Sequence, residues 1–280
     1  MAVLLGVVAA AAFGAADFLG GFATKRSKTT SVLVCVQATG LALAVILVLL
    51  DDTPLPGART IGISMGAGAI GMTSLGLFYR ALATGRMGVV APLSAVIAAI
   101  VPVTWGLTHG ERPSGLALTG VAVAVAAVAL VAREPDTAEA LTHRATQPVT
   151  LALVAGVGFG ITVTGFSEVA DGSGFWPLIF LRVAGVVSLG GFLLVTRRFA
   201  FPREAGAANV IGGGILDLTG NAAILQGFRE GLTSVVAPVS ALFPAATVIL
   251  ARIVLKERLT RLQLTGVAVA LLGLVLIGLG

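Results

Sequence analysis

A chain of 280 residues that is 57% hydrophobic and only 11% charged is not an ordinary water-soluble domain, which runs near a quarter charged. Its net charge of +5 does not point to nucleic acid, because the basic residues cluster between apolar runs and there report membrane orientation. The single cysteine, Cys35, excludes an internal disulfide and reads as a small buried hydrophobe.

Ten apolar runs are predicted as spans, at 2–22, 31–50, 60–79, 87–107, 115–132, 149–169, 176–196, 207–227, 233–253 and 262–279. Each approaches the roughly 20 residues of helix that cross a hydrocarbon core. Helices are the expectation because lipid offers no partner to an unpaired backbone amide, and the alternation of a membrane β-barrel is absent. The start, Met1-Ala2-Val3-Leu4-Leu5, lacks the basic stretch of a secretory signal and reads as a retained first helix. The longest polar segment, 133–148, reads as a cytoplasmic linker between two halves, 1–132 and 149–280.

The halves repeat one another. Gly85, Val89-Val90-Ala91-Pro92, Ser94-Ala95, Glu111-Arg112 and Leu118-Thr119-Gly120 recur 146 residues later as Gly231, Val235-Val236-Ala237-Pro238, Ser240-Ala241, Glu257-Arg258 and Leu264-Thr265-Gly266. Five spans per half is an odd number, so two homologous halves must lie in opposite orientations. The charges agree. Lys25, Arg26 and Lys28 follow span 1, but Asp171-Gly172-Ser173-Gly174 follows span 6. Arg197, Arg198 and Arg203 follow span 7, but Asp51, Asp52 and Gly57 follow span 2. Sorted by loop, fourteen Lys/Arg fall on one side and three on the other, with Arg182 alone inside a span. The rich side is expected to be cytoplasmic, which puts both termini outside. The fold class is thus all-α integral membrane, with ten transmembrane helices as two inverted-topology five-helix repeats.

Charges inside spans are costly and usually face a cavity or a partner. Asp17, toward the cytoplasmic end of span 1, is either a site carboxylate or an interfacial partner of Lys25 or Arg26. Asp217 lies mid-span with Asn221 one turn on, after Gly212-Gly213-Gly214, which admit close packing or a local break. It is either a binding group or an interhelical tie. Arg182 is either a snorkelling partner of Glu168 near the outer interface or an anion-binding group. Gln37 and Gln226 can add neutral hydrogen bonds. Pro92 and Pro238, with Ser94 and Ser240 nearby, mark first-turn prolines or shaped cavity-lining helices. Trp105, Trp176 and Tyr79 fall at span ends as an interfacial belt, Tyr79 being also a cavity-lining candidate. Gly266 and Gly273 mark a close helix contact, within the chain or between copies.

Three local motifs mislead. Gly62-Ile63-Ser64-Met65-Gly66 matches a nucleophile elbow and Gly66-Ala67-Gly68-Ala69-Ile70-Gly71 a dinucleotide fingerprint, but both lie inside an apolar span with no strand before them. His109 and His143 fall in loops. No Cys/His cluster for metal, no cofactor motif and no Walker lysine is present, so neither an enzyme nor ATP drive is expected.

The two Gly–x–x–x–Val-Val-Ala-Pro to Glu-Arg to Gly blocks resemble the drug/metabolite transporter superfamily, specifically its EamA-like ten-helix members. That resemblance implies a multi-pass inner-membrane secondary transporter, commonly an exporter of small metabolites or drugs, with a cavity between the halves and spans 5 and 10 at the periphery. Ala16-Asp17-Phe18-Leu19-Gly20 is similar to the first helix of the small multidrug transporters, whose embedded acidic residue binds proton and substrate in turn. Here Asp stands in place of Glu, and Val163 is its counterpart in the second half, so the site is expected to be asymmetric. The implied partners are a small-molecule substrate, the lipid bilayer and protons, with no nucleic acid, in a monomer or homodimer. A lipid-carrier flippase and an integral-membrane enzyme or accessory subunit are the alternatives.

Overall fold

The computed structural model describes all residues except 109–113, 133–146, 170–171, 197–201, 204–205, 231–239, 258 and 280. Its described residues form helices and no strand. In chain order these are α1 (Ala2–Thr24), α2 (Thr29–Leu49), α3 (Ala58–Thr84), α4 (Met87–Thr108), α5 (Gly115–Ala132), α6 (Gln147–Ser167), α7 (Trp176–Thr196), α8 (Ala207–Arg229), α9 (Phe243–Val254) and α10 (Arg261–Leu279). Nine of the ten expected spans therefore coincide with a described helix to within a few residues. The tenth, 233–253, does so only over its second part, because 231–239 lie outside the described residues. The 133–148 linker is outside them too, except its last two residues, which begin α6.

Among the described residues, five helices are by themselves long and apolar enough to cross a membrane: Leu4–Thr24, Thr29–Leu49, Ala58–Thr84, Gln147–Ser167 and Ala207–Arg229. The outward faces of the helices stay apolar, with Leu49 of α2, Val187 of α7 and Ile253 of α9 all more than 60% exposed. That is the inverse of a soluble surface and suits lipid. Six hydroxyls within the helices are satisfied locally. Thr24, Thr73, Ser74, Thr84, Thr164 and Thr219 each donate to the carbonyl four residues back at 2.7–3.0 Å. In a medium without water this removes the cost of an unpaired donor.

Packing pairs helices across the two halves more than within them. α1 lies on α8 and α9, α6 on α3 and α4, α2 on α7 and α8, and α3 on α7. α5 and α10 pack on each other. Gly266 and Gly273 are buried on α10, so the close contact they mark lies within the chain. Glycine makes the cross-half contacts close. At Gly68 of α3 a Cβ would stand 2.7 Å from the Leu181 Cα of α7, and at Gly214 of α8 it would stand 2.7 Å from the Val36 carbonyl of α2.

Contacts between the connecting segments define two ends. At one, Lys25 after α1 and the first amides of α4 meet Glu257, between α9 and α10. Pro148 at the start of α6 sits against Gly85 at the end of α3, beside them. At the other, Asp51 and Thr53 after α2 meet Phe175 and Trp176 before and at the start of α7. Arg59 of α3 there pairs with Glu168 after α6 at 2.9 Å. α1 and α6 consequently run in opposite directions. Both glycine motifs that mimic soluble-enzyme signatures lie within the continuous helix α3.

Candidate functional site

The middle of the bundle holds a polar cluster assembled from five helices. Arg182 is the seventh residue of α7, about 9 Å along the helix from its start at ~1.5 Å per residue. Its guanidinium does not run out toward the helix end, and it is 2% exposed. It donates instead from Nη1 to Gln37 Oε1 on α2 and from Nη2 to Asp217 Oδ2 on α8. Asn221 Nδ2, one turn along α8, donates to the Asp217 carbonyl at 2.8 Å and lies 3.5 Å from Asp217 Oδ2.

Small residues make room for these long side chains. An added Cβ at Gly40 of α2 would stand 3.0 Å from Arg182 Nε and 3.1 Å from Cζ, and one at Gly185 of α7 would press on the Gln37 amide. The guanidinium therefore lies flat against the backbone of α2, in a slot that any side chain would narrow.

Asp17 on α1 is 7% exposed and close enough to Asp217 for the two carboxylates to interact electrostatically. Tyr79 of α3 is fully buried, and its ring lies over Gly20, three residues from Asp17 on α1. Its hydroxyl has no hydrogen-bond partner, and neither has Arg182 Nε. Buried donors without acceptors are rare, each costing about 1–3 kcal/mol. With both aspartates ionised, two negative charges and one positive charge occupy this apolar interior.

Four sequence expectations change here. Arg182 is not an interfacial partner of Glu168, which takes Arg59 instead. Asp17 does not pair with Lys25 or Arg26, because two turns of helix separate them. Lys25 meets Glu257, and Arg26 lies 4.5 Å over the Phe22 ring. Tyr79 is not part of an interfacial belt, since α3 continues for five residues past it and buries it. Trp105 is half exposed, whereas Trp176 donates its indole N–H to the Thr53 carbonyl at 2.9 Å. Pro92 is the sixth residue of α4, beyond the first turn, so it removes an internal helix bond.

Asp17, Gln37, Tyr79, Arg182, Asp217 and Asn221 are thus brought to one centre. Pro92 and Ser94 are not among them. Ser94 is buried, donates to the Ala91 carbonyl at 3.0 Å and backs onto Gly156 of α6. Ser240 is buried, and Gln226 accepts from Arg229 at 3.2 Å near the end of α8. Pro238, His109 and His143 lie outside the described residues. Sequence reasoning missed Gly40 and Gly185 as the walls of the slot. No local signal marks a glycine as facing an arginine on another helix.

Among known proteins, no curated sequence matches. A crystal structure titled only "Crystal structure of protein" superposes with a TM-score of 0.67 over 98% of this chain and 95% of that one. At 13% identity the likeness is one of fold. The model of the EamA-like transporter family matches residues 146–279, which are α6 to α10. By that match the second half of this multi-pass membrane chain, helical throughout its described elements, is similar to the EamA-like transporter family, consistent with the drug/metabolite transporter superfamily.

Proposed function

We propose that the chain is a ten-helix secondary transporter of a small metabolite or drug-like compound, working by alternating access around the Arg182 centre. The observation that carries this is a buried charged cluster shared between the halves: Asp17, Gln37 and Tyr79 from the first, Arg182, Asp217 and Asn221 from the second. A charge in mid-membrane costs a few kcal/mol, and a purely structural core has no need of three. Tyr79 Oη and Arg182 Nε, both without acceptors, are the donors a bound substrate would meet.

The packing supports two inverted repeats. Exchanging α1–α5 with α6–α10 maps α1 on α8 to α6 on α3, α1 on α9 to α6 on α4, and α2 on α8 to α7 on α3. The pairs α2 with α7, α4 with α9 and α5 with α10 map onto themselves. Rocking one half against the other about this two-fold would open each end in turn. The end that carries Lys25, Arg26, Lys28 and Arg86 is then cytoplasmic, and the membrane is the cell membrane.

Two carboxylates against one guanidinium leave an excess negative charge that a single proton cancels, so a proton is the natural coupling ion. Export down an inward proton gradient would have substrate and proton alternate at Asp17 and Asp217. The test is gradient-driven transport by Asp17→Asn and Asp217→Asn proteins confirmed to insert normally. Metabolite profiling of cells and medium, with and without the protein, selects the compound to follow. Transport is expected to fall at least tenfold in each variant, a loss of about 1.4 kcal/mol or more in barrier terms. Undiminished, pH-driven transport in both variants removes proton coupling from these residues.

A further inference from the structure

Glu257, the described glutamate of the repeated Glu-Arg block, is not part of the central site, yet it does something specific. Glu257 accepts from the amides of Met87 at 3.3 Å and Gly88 at 3.2 Å, the first residues of α4, and stands 3.7 Å from Lys25 Nζ. A carboxylate at a helix N-terminus meets both unsatisfied amides and the positive end of the helix dipole. All three partners belong to the first half, whereas Glu257 belongs to the second. One side chain therefore ties the α1–α2 and α3–α4 turns to the α9–α10 turn.

The backbone is bent to make this contact. Lys256, just before Glu257, has a φ of +54°, the one non-glycine residue in the left-handed region among those described. That conformation is disfavoured for a side chain with a Cβ and persists only where surrounding contacts hold it. The carboxylate also has somewhere to go. A cleft of about 310 Å³ lined by Gly88, Val248, Arg252, Glu257, Leu259 and Leu264 adjoins it, and Arg252 offers a second cationic partner.

The opposite end carries a counterpart of the same chemistry. Asp51 Oδ2 accepts from the Phe175 amide at 3.0 Å, and Thr53 Oγ1 donates to Asp51 Oδ1 at 3.0 Å. Here again a carboxylate of one half caps a free amide of the other. Gly174, at φ +53°, supplies the turn, and any Cβ there would collide with Thr53 at 2.6 Å.

We propose that Glu257 and Asp51 are opposed latches, each closing one mouth of the path to the Arg182 centre by capping amides of the facing half. This rests on the alternating-access reading. Each latch must break for its own mouth to open, so removing one carboxylate biases the protein toward opening at that end and not the other. Lys25 is a positioning residue that steadies Glu257 through charge.

The experiment uses the full chain with one reporter cysteine, Gly213→Cys in a Cys35→Ala background. Position 213 lies one turn from Asp217 on the basic side, and an added Cβ there finds no atom nearer than 3.8 Å. A membrane-impermeant maleimide is applied to inside-out and to right-side-out vesicles, so that it meets one mouth at a time. Glu257→Gln is expected to raise the labelling rate about fivefold from the basic end only, and Asp51→Asn likewise from the other end only, as for loss of one charge-assisted contact. Lys25→Ala follows Glu257→Gln with a smaller rise. Glu257→Asp and Asp51→Glu, which keep the charge but misplace it, repeat the pattern if an amide variant does not fold.

Labelling at the parent rate from both ends, with the melting temperature unchanged, overturns the latches. So does a rise from both ends in a single variant, which marks general loosening. The two readings fail separately. If Asp217→Asn abolishes transport but labelling never responds, the latches fall alone. If labelling responds as stated while the Asp17 and Asp217 variants transport normally, the coupling assignment falls and the latches stand.

Discussion

Arg182 draws on two acceptors from two helices, Gln37 on α2 and Asp217 on α8, and is itself all but sealed from the surface. Truncation to Ala would leave a buried carboxylate and a buried amide oxygen without their donor. Breaking a buried pair from one side costs about 3–5 kcal/mol, far more than the pair contributes relative to an apolar replacement. Arg182→Ala is therefore expected to lower the melting temperature of the purified protein steeply. The double variant Arg182→Met/Asp217→Leu, which removes both charges, should recover much of that loss while remaining inactive in transport. A double variant no more stable than the single one would mean that the ion pair itself holds the bundle together. Gly40 belongs to the same argument. Gly40→Val should displace the guanidinium and reduce transport more than it reduces stability, read from transport rate against melting temperature.

At the scale of the element, the helices owe their boundaries to sequence but their spacing to glycine. α3 meets α7 through Gly68, where a methyl group would stand within 2.7–2.9 Å of Leu181 backbone atoms. Backbone cannot yield as a side-chain tip can, so the helices must part. Gly68→Ala is expected to destabilise by about 1–3 kcal/mol, as overpacking does in other cores. Gly62→Ala is the control on the same helix, because nothing lies within 4 Å of a Cβ there. It should be neutral or slightly stabilising, through helix propensity. Equal melting temperatures for the two variants would count against a rigid α3–α7 contact.

For the molecule as a whole, the interface between halves is the fold's main surface, since α1, α2, α3 and α6 each pack chiefly on helices of the other half. Residues 149–280 expressed alone would leave the cross-half faces of α6 to α8 open to lipid with Arg182 and Asp217 upon them. That half is expected to aggregate or be degraded, and co-expression with residues 1–132 should restore a soluble, gel-filterable complex in detergent. A stable isolated half would show that the repeats fold independently. The charge bias gives a second expectation at this scale. A reporter fused after Gly280 that works only in the cytoplasm should be silent, and activity there would reverse the assigned orientation.

Much of this was legible without coordinates, and the reasons differ by residue. The helix limits follow from where apolar runs stop, because in lipid every backbone group must be satisfied within its own segment. That constraint is local, so 87–107 and 176–196 coincide with α4 and α7 almost residue for residue. Asp17, Arg182 and Asp217 stood out as costly groups for the same reason. Their partners did not. Proximity along the chain offers Glu168 to Arg182 and Lys25 to Asp17 as alternatives to a site role, whereas the bundle gives Arg182 to residues 145 and 35 positions away. Tyr79 reads as interfacial or cavity-lining from sequence because its apolar run ends there, and only the neighbours that bury it exclude the interface.

Sequence alone determined that the chain crosses a membrane repeatedly as helices and which charges lie within the spans, because hydropathy is a property of the chain itself. Tertiary structure decided which of those charges meet, which glycines make room for them, and that Glu257 ties turns from both halves. Side chains on different helices find one another through packing in three dimensions, and no spacing along one dimension encodes that.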